Sequence, residues 1–500
     1  MVFIATLFEL KCFIMLYYSV ITEKGIGCMK SNDNIVYASG IVPSERQLAW
    51  QELEFYAFIH FGMNTFTNSE WGTGNEDPEL FNPTALDARQ WAKLIKLTGM
   101  RAMILTCKHH DGFCLWPSAY TDHSVKYSPW KDGKGDVVKE CADACREYGL
   151  KFGVYLSPWD RHDPRYGDGE AYNRFYKNQL TELLTNYGDI FCVWLDGACG
   201  EGKNGKKQEY DWEGYYSLIR KLQPDACICV TGPDVRWVGN EAGICRSSEW
   251  SVVPYWHSQH AVTQAKSQQD VTKPPRRFSP QDVDLGSRKA IKGCNNLIWY
   301  PAEVNTSLRK GWFYHESEDY SLKSLSKLTE IYYNSVGANG SFLLNLSPNK
   351  EGKICERDVE AMLSLGAQLE IDFNENLAEG SVIIDNRHLD DAHRGQMALS
   401  YDPEEYWHSG SNPDGSELIL DLGDDYDIDK IVLAEHIRTG QQIEKFSVYI
   451  MLEGKWKKVS DGTVIGHKRI CRFKEQRIQF IKVVIEQARC FATISKFEAY

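Results

Sequence analysis

No C-x-x-C pair occurs anywhere in the chain, although it carries 15 cysteines. The closest spacings within its body, Cys141/Cys145 and Cys227/Cys229, fall on an apparent helix and an apparent strand. There they read as small core hydrophobes rather than as a zinc site. An odd cysteine total in a chain of 500 residues also gives no sign of a disulfide framework, which is a device of small domains. Equally missing are H-E-x-x-H, G-x-S-x-G, G-x-x-x-x-G-K-[ST] and a strand-bound G-x-G-x-x-G, so the zinc-protease, serine-elbow, P-loop and dinucleotide signatures are absent. Positive charge is in short supply: the formal net charge is −13. A binder of nucleic-acid phosphates needs a positive face, so no nucleic-acid partner is expected, whereas a neutral polymer stays compatible. No repeat or low-complexity tract appears.

Long apolar runs are confined to the first residues. "CFIMLYYSVIT" behind Lys11 resembles a secretory h-region, so residues 1–30 are expected to be a signal-like leader of a secreted or periplasmic protein. The run is too short and interrupted for a confident membrane span, and no transmembrane span is expected. "GIGC", ending at Cys28, faintly resembles a lipoprotein cleavage box. What the chain has in quantity is aromatics, 12% of residues with 15 Trp and 26 Tyr, whose flat rings suit sugar faces. With 25% charged residues this is a folded composition, and the length implies two or three units.

Between Gln51 and Leu369 short apolar runs alternate with amphipathic stretches, predicting an α/β domain over about residues 45–370. Strands are expected at Tyr56–Phe61, Arg101–Thr106, Lys151–Leu156, Ile190–Leu195, Cys227–Thr231, Ile244–Ser248, Leu297–Tyr300 and Phe342–Leu346. Helices are expected at Thr84–Thr98, Val137–Tyr148 and Tyr172–Tyr187. Eight strands of this kind fit a (β/α)8-like barrel. From about residue 380 to 500, runs such as "ELILDLG", "KIVLAEHI" and "FIKVVIE" between charged turns predict an all-β sandwich.

In a barrel the chemistry sits just past the C-terminal ends of the strands. Those positions hold His60, then His109, His110 and Asp111, then Tyr155, Ser157, Trp159 and Asp160, then Asp196. The later loops hold Asp234, Arg236 and Glu241, then Glu249 and Trp250, Glu303, and finally Asn345. Asp196 ends the apolar run "IFCVWL", which would aim a carboxylate into a nearly dry site; its alternative reading is a helix N-cap. Adjacent histidines on a strand point to opposite faces, so His109 and His110 suit hydrogen bonding to a polar substrate better than one shared metal ion. No metal or other cofactor is expected. Carboxylates, histidines and tryptophans on one face are the equipment of glycoside hydrolysis.

The blocks "FIHFGMNTFTNSEWG", "KHHDGFCLWPS", "GVYLSPWDRH" and "VWLDGA" resemble glycoside hydrolase family 29, the α-L-fucosidases, over about Leu48 to Leu369. "GPDVRWVGNEAG" and "WYPAEVNTSLRKGWFYH" look like its subgroup acting on α-1,3/1,4-linked fucose. The resemblance implies a retaining exo-α-L-fucosidase with fucosylated glycans as substrates, Asp196 as nucleophile and Glu241 as general acid/base, with Glu249 as the alternative acid. It also implies fucose contacts from His60, Glu70, Trp71, His109, His110 and Tyr155. Trp194 shares the nucleophile's strand face, and Trp71 and Trp312 are candidates for an apolar wall against the sugar methyl. Rival readings are a fucosidase of broad linkage specificity and a glycan-binding protein without turnover. The C-terminal region resembles a discoidin-type (coagulation factor 5/8) module, in which Trp407, His408 and Arg438 are sugar-binding candidates.

Overall fold

A computed structural model describes residues 31–267 and 284–500; the expected leader, with Cys28, lies outside them. Ten short strands occupy the first part of the described chain: β1 (Phe55–Ile59), β2 (Ala102–Lys108), β3 (Lys151–Leu156), β4 (Cys192–Leu195), β5 (Cys227–Val230), β6 (Arg236–Trp237), β7 (Val252–Pro254), β8 (Leu297–Trp299), β9 (Ala302–Ser307) and β10 (Gly340–Leu346). Eight of them form one parallel sheet in the order β5-β4-β3-β2-β1-β10-β9-β6. The ends meet at a parallel bridge between Cys229 and Val235, which nearly closes the barrel. The fold is a (β/α)8-like barrel followed by an all-β domain.

Side-chain alternation divides the barrel strands between two cores. Ala57, Ile59, Met103, Leu105, Val154, Val193, Leu195 and Leu344 pack outward among the helices. Tyr56, Phe58, Ile104, Tyr155, Cys192, Trp194, Cys229 and Leu343 fill the interior. The helices follow the apolar periodicity. Ala88–Leu97 buries Trp91, Leu94 and Ile95 and is capped by Asp87, whose carboxylate accepts from Arg89 N at 3.0 Å. Val137–Tyr148 starts at the Asp136 cap and ends at Gly149, whose φ of 67° is the left-handed conformation that favours glycine. Glu170–Asn186 buries Tyr172, Phe175 and Tyr176, and the Tyr176 hydroxyl donates to the Leu156 carbonyl at the end of β3 at 2.7 Å.

Two expected strands are corrected. Ile244–Ser248 forms no named strand; the sixth barrel strand is Arg236–Trp237. Leu297–Trp299 lies outside the barrel, paired antiparallel with β7 and packed against Ile35, Ala38 and Leu48. Its apolar "LIW" is spent on that side cluster. The true seventh strand, "AEVNTS", is more polar because Glu303 and Asn305 bond to other interior-facing side chains: Glu303 to Tyr56 and Trp194, Asn305 to Trp237. Glu303 therefore sits near the start of β9, deep in the barrel, rather than at its mouth.

The C-terminal domain holds β11 (Val382–Asp385), β12 (Trp407–His408), β13 (Ser416–Ala434), β14 (Ile443–Leu452), β15 (Lys455–Gly462), β16 (Arg469–Ala488), β17 (Thr493–Ile494) and β18 (Lys496–Ala499). The main sheet runs β11-β13-β16-β14-β15, antiparallel, with β18 on β13 and a small β12–β17 pair apart. Strict alternation in Ser416–Leu422 buries Leu418 and Leu420 in a core shared with Val448, Ile481 and Val483. Among the described residues, no helix is long and apolar enough to cross a membrane.

Candidate active site

Strand parity builds the pocket. Tyr56 and Phe58 point inward on β1, so His60 continues inward at its end; Cys192 and Trp194 do the same on β4, so Asp196 follows at the mouth. Asp196 Oδ2 accepts from the Tyr155 hydroxyl at 3.1 Å, and Oδ1 accepts from Ala198 N at 2.8 Å. The side chain keeps 20% of its surface open, and His110 Nε2 lies 3.8 Å from Oδ2. The N-cap alternative fails: no helix starts at Asp196, and the next one is Trp212–Leu222.

Both neighbouring histidines reach the site, against the strand-alternation argument. The β2–β3 register slips between Thr106 and Lys108. A bulge of this kind re-aims the residues that follow it. Lys108 is turned outward to Asp160 (2.8 Å) and Gln179 (2.9 Å), while the rings of His109 and His110 come to lie 4.1 Å apart.

Three hydrogen-bond networks fix the imidazole tautomers. Asn345 Nδ2 donates to the Trp312 carbonyl, so its Oδ1 accepts from His60 Nδ1 at 2.7 Å and leaves His60 Nε2 a bare acceptor. Ser157 donates to the Trp159 carbonyl and accepts from His110 Nδ1 at 2.7 Å, so His110 Nε2 is also an acceptor. The Asn64 amide donates to His109 Nδ1 at 3.3 Å, which puts the proton of that ring on Nε2. Burial keeps all three neutral: it pulls His60 down to about 3 and His110 to about 4, and it holds His109 well below the usual histidine range. The site thus offers two imidazole acceptors and one donor side by side, a pattern for neighbouring hydroxyls.

Glu70 arrives on the loop after β1 and accepts from Trp312 N (3.0 Å), Phe313 N (3.2 Å) and His315 Nε2 (2.7 Å). This ties the Trp312 turn to the pocket, where its ring lies 5.1 Å from that of His60. At Gly311 a Cβ would come 2.6 Å from Glu70 Oε1, so any side chain there would push that carboxylate out of place. Trp312 Nε1 donates to Glu241 Oε2 at 3.3 Å. Glu241 stands at the rim on the loop after β6. Glu241 is itself solvent-exposed, but partial desolvation by the surrounding pocket walls raises its pKa; Trp312 opposes this, and the charges of Asp196 and Glu70 add to it.

Trp71, 43% exposed, stands edge-on to Trp159 (5.7 Å) and His110 (6.1 Å) and forms an open wall. Trp194 is only 7% exposed and donates its indole N–H to Glu303 at 2.8 Å. It is floor, packed under Tyr155 and Phe58, with no hydrogen bond left to give a ligand. The structure therefore gathers His60, Glu70, Trp71, His109, His110, Tyr155, Trp194, Asp196, Glu241 and Trp312 at one barrel mouth. Sequence reasoning missed Asn64, Phe313 and His315, which hold or border the site. "GWFYH" carried two of them, but nothing marked that loop as folding back onto Glu70.

Other sequence candidates have structural duties. Asp234 pairs with Arg220 and accepts from Ile228 N at 2.7 Å. Glu249 is fully buried between Arg236 and Arg246. In the C-terminal domain Trp407 is fully buried and donates to the Arg387 carbonyl, while Arg438 bonds Glu45 of the barrel domain. His408 stacks on Phe491 at 4.6 Å. Among the described residues no group of three or more His, Cys, Asp or Glu side chains has the geometry to hold a metal ion.

A parallel barrel with two carboxyl groups at its mouth, one of them raised in pKa and the other held by hydrogen bonds, amid imidazoles and indoles, fits a carbohydrate-cleaving barrel enzyme. The comparisons narrow this. Residues 39–373 match the family model "Alpha-L-fucosidase", and residues 383–497 match "F5/8 type C domain". Alpha-L-fucosidase 1 of Arabidopsis thaliana is 41% identical over 471 residues, covering 92% of this chain and 87% of that protein. A glycoside hydrolase 29 family member from a rumen bacterium superposes with a TM-score of 0.75 at 40% identity, over 92% of this chain and 77% of that one. A Ruminococcus gnavus GH29 fucosidase in complex with fucose superposes with a TM-score of 0.78 at 30% identity, over 92% and 95%. The chain belongs to the α-L-fucosidase family, glycoside hydrolase family 29, and is a glycosidase.

Proposed function

We propose that the protein is a retaining exo-α-L-fucosidase, hydrolysing terminal α-1,3/1,4-linked L-fucose from glycans. The observation that carries this reading is the unequal pair of carboxyl groups. Asp196 accepts hydrogen bonds from Tyr155 and Ala198, which suits a carboxylate poised to attack an anomeric carbon. Glu241, at the exposed rim, has its pKa raised by partial desolvation and by the charge of Asp196, which suits an acid that must hold a proton and then give it up. In this mechanism Asp196 displaces the leaving sugar to form a fucosyl ester while Glu241 protonates the departing oxygen. Glu241 then deprotonates the water that opens the ester, and configuration is retained. A retaining arrangement requires the two carboxyl groups to stand about 5–5.5 Å apart.

Glu249 is poorly suited to the acid's role. It is 0% exposed, and although burial alone would raise its pKa, Arg236 and Arg246 hold it below the usual range. The three imidazoles and Glu70 supply a constellation for the fucose hydroxyls, with Trp71 and Trp312 as walls for the 6-methyl. Secretion belongs to the same reading. The burial of Trp407 and the ion pairs of Arg438 favour a bracing role for the C-terminal module.

The test compares wild type, Asp196→Ala and Glu241→Ala on an aryl α-L-fucoside and a Lewis-type trisaccharide. Asp196→Ala should lose roughly three or more orders of magnitude in kcat on both substrates. Glu241→Ala should lose turnover of the trisaccharide but keep much of its kcat/KM on an activated aryl fucoside, where its kcat is limited by loss of the base and raised by azide. Absence of release by wild type from either substrate would refute the enzyme reading.

A further inference from the structure

The loop between β6 and β7 carries Glu241, and its two limbs are joined by one carboxylate. On the outgoing limb, Arg236 donates through Nε to the Tyr300 carbonyl (2.9 Å) and through Nη2 to Glu249 Oε1 and the Trp250 carbonyl (2.8 Å). On the returning limb, Arg246 N donates to Glu249 Oε2 at 3.0 Å, and its guanidinium reaches both Glu249 oxygens and the Val238 carbonyl. Between these limbs the Asn240 side chain closes the turn that presents Glu241, accepting from Ala242 N and Ile244 N and donating to the Ile244 carbonyl.

The returning limb is in turn fastened to the C-terminal domain. Ser248 Oγ lies 2.6 Å from Thr463 Oγ1, and Ser251 N donates to Gln441 Oε1 at 2.8 Å. Asn339, at the entrance to β10, donates to the Glu249 carbonyl (2.7 Å) and accepts from His467 N (2.7 Å). The Arg489 guanidinium lies over the Trp250 ring at 4.4 Å.

We infer that Glu249 is a positioning residue for the acid/base: with Arg236 and Arg246 it forms a buried clamp, anchored on the C-terminal sandwich through Ser248–Thr463 and Ser251–Gln441, that holds the Glu241 turn against Trp312. This rests on the assignment of Glu241 as acid/base. It gives the sandwich a part in proton transfer without any contact of its own with the sugar. A clamp of this kind acts on the two steps in which Glu241 gives or takes a proton and leaves attack by Asp196 alone, because Asp196 is held by β4, Tyr155 and Ala198.

The test uses Glu249→Gln, which keeps shape but removes the charge, and Thr463→Val, which cuts the anchor from the sandwich side without touching the barrel. Each is assayed in the full chain on a Lewis-type trisaccharide and on an aryl fucoside whose leaving group needs no proton, with thermal unfolding as the folding control. Glu249→Gln should lower kcat/KM on the trisaccharide at least tenfold, and kcat/KM on the activated aryl fucoside, which reports only the first step, less than threefold. The basic limb of its pH profile should move. Thr463→Val should show the same split in weaker form. Equal losses on both substrates, or no loss in either variant, would overturn the clamp; should Glu249→Gln not fold, Thr463→Val decides alone. Glu241→Ala run alongside separates the two readings. If it shows no dependence on the leaving group, the acid assignment has failed, whereas a normal dependence there without one in the clamp variants fails the clamp alone.

Discussion

Glu303 has no surface exposed, and burial pushes its carboxyl up to about 7 despite hydrogen bonds from Tyr56 (2.6 Å) and Trp194 (2.8 Å). A carboxyl with a folded pKa above its unfolded value binds more protons in the native state. Its burial is therefore tolerated below an unfolded value near 4.5, and stability falls as pH rises from there through about 7. Glu303→Gln removes that loss, so the gain of the variant over wild type should grow between pH 5 and pH 8, up to about 3 kcal/mol. Denaturant titrations at the two pH values check it; a gain independent of pH would show that Glu303 is not the titrating group. The floor of the pocket thus stands on a carboxyl raised to about 7, beneath the indole that packs under Tyr155.

At the scale of the element, the end of β2 decides the site. The bulge sends Lys108 outward into a fully buried pair with Asp160, and only then can His109 and His110 both turn to the pocket. Breaking such a pair from one side leaves an uncompensated buried charge. Lys108→Met should cost about 3–5 kcal/mol in unfolding experiments and raise KM, as the histidines lose their frame. Lys108→Met combined with Asp160→Asn should recover much of the stability; if the double variant is as unstable as the single one, the ion pair is not what the bulge depends on. The ends of the regular strands were legible in the sequence, and at them the structure brings His60, Tyr155 and Asp196 to the barrel mouth. The bulge was not legible, because Ala102–Lys108 is buried on both faces and carries no apolar–polar alternation for an extra residue to break. The misplacement of the sixth and seventh strands has a related cause. A barrel strand whose inner face carries Glu303 and Asn305 looks less like a strand than "LIW", an apolar run belonging to a side hairpin.

Across the whole molecule, the two domains meet at charges. Glu54, just before β1, bonds Lys468 at 2.6 Å and His467 at 3.2 Å, and these partners hold its pKa far below the usual carboxylate range against the burial penalty. A depressed carboxyl stabilises the fold above its unfolded pKa, near 4.5, and that contribution is lost as pH falls toward the folded value. Glu54→Gln should therefore cost about 3–5 kcal/mol at pH 7. Its deficit against wild type should narrow steadily below pH 4.5, which calorimetry at pH 7, 5 and 3.5 measures. A deficit of constant size would mean that packing rather than charge joins the domains there.

The sequence by itself determined the family-specific blocks, the period-2 and period-3.6 patterns behind barrel and sandwich, and the inward parity that carries Trp194 into Asp196. These are local properties, set within a few residues by side-chain type and backbone geometry. Only the tertiary structure decided that Glu249 is a buried ion-pair anchor while Glu241 has the raised pKa, and that Trp407 and Arg438 are spent on the core and on the barrel contact. It also decided which imidazoles accept and which donates. Each of these depends on charges, carbonyls and rings brought from distant parts of the chain: Glu70 onto Trp312, Asn345 onto His60, Thr463 onto Ser248. A carboxylate's role is set by the field and the solvent around it, and that environment exists only once the chain has closed on itself.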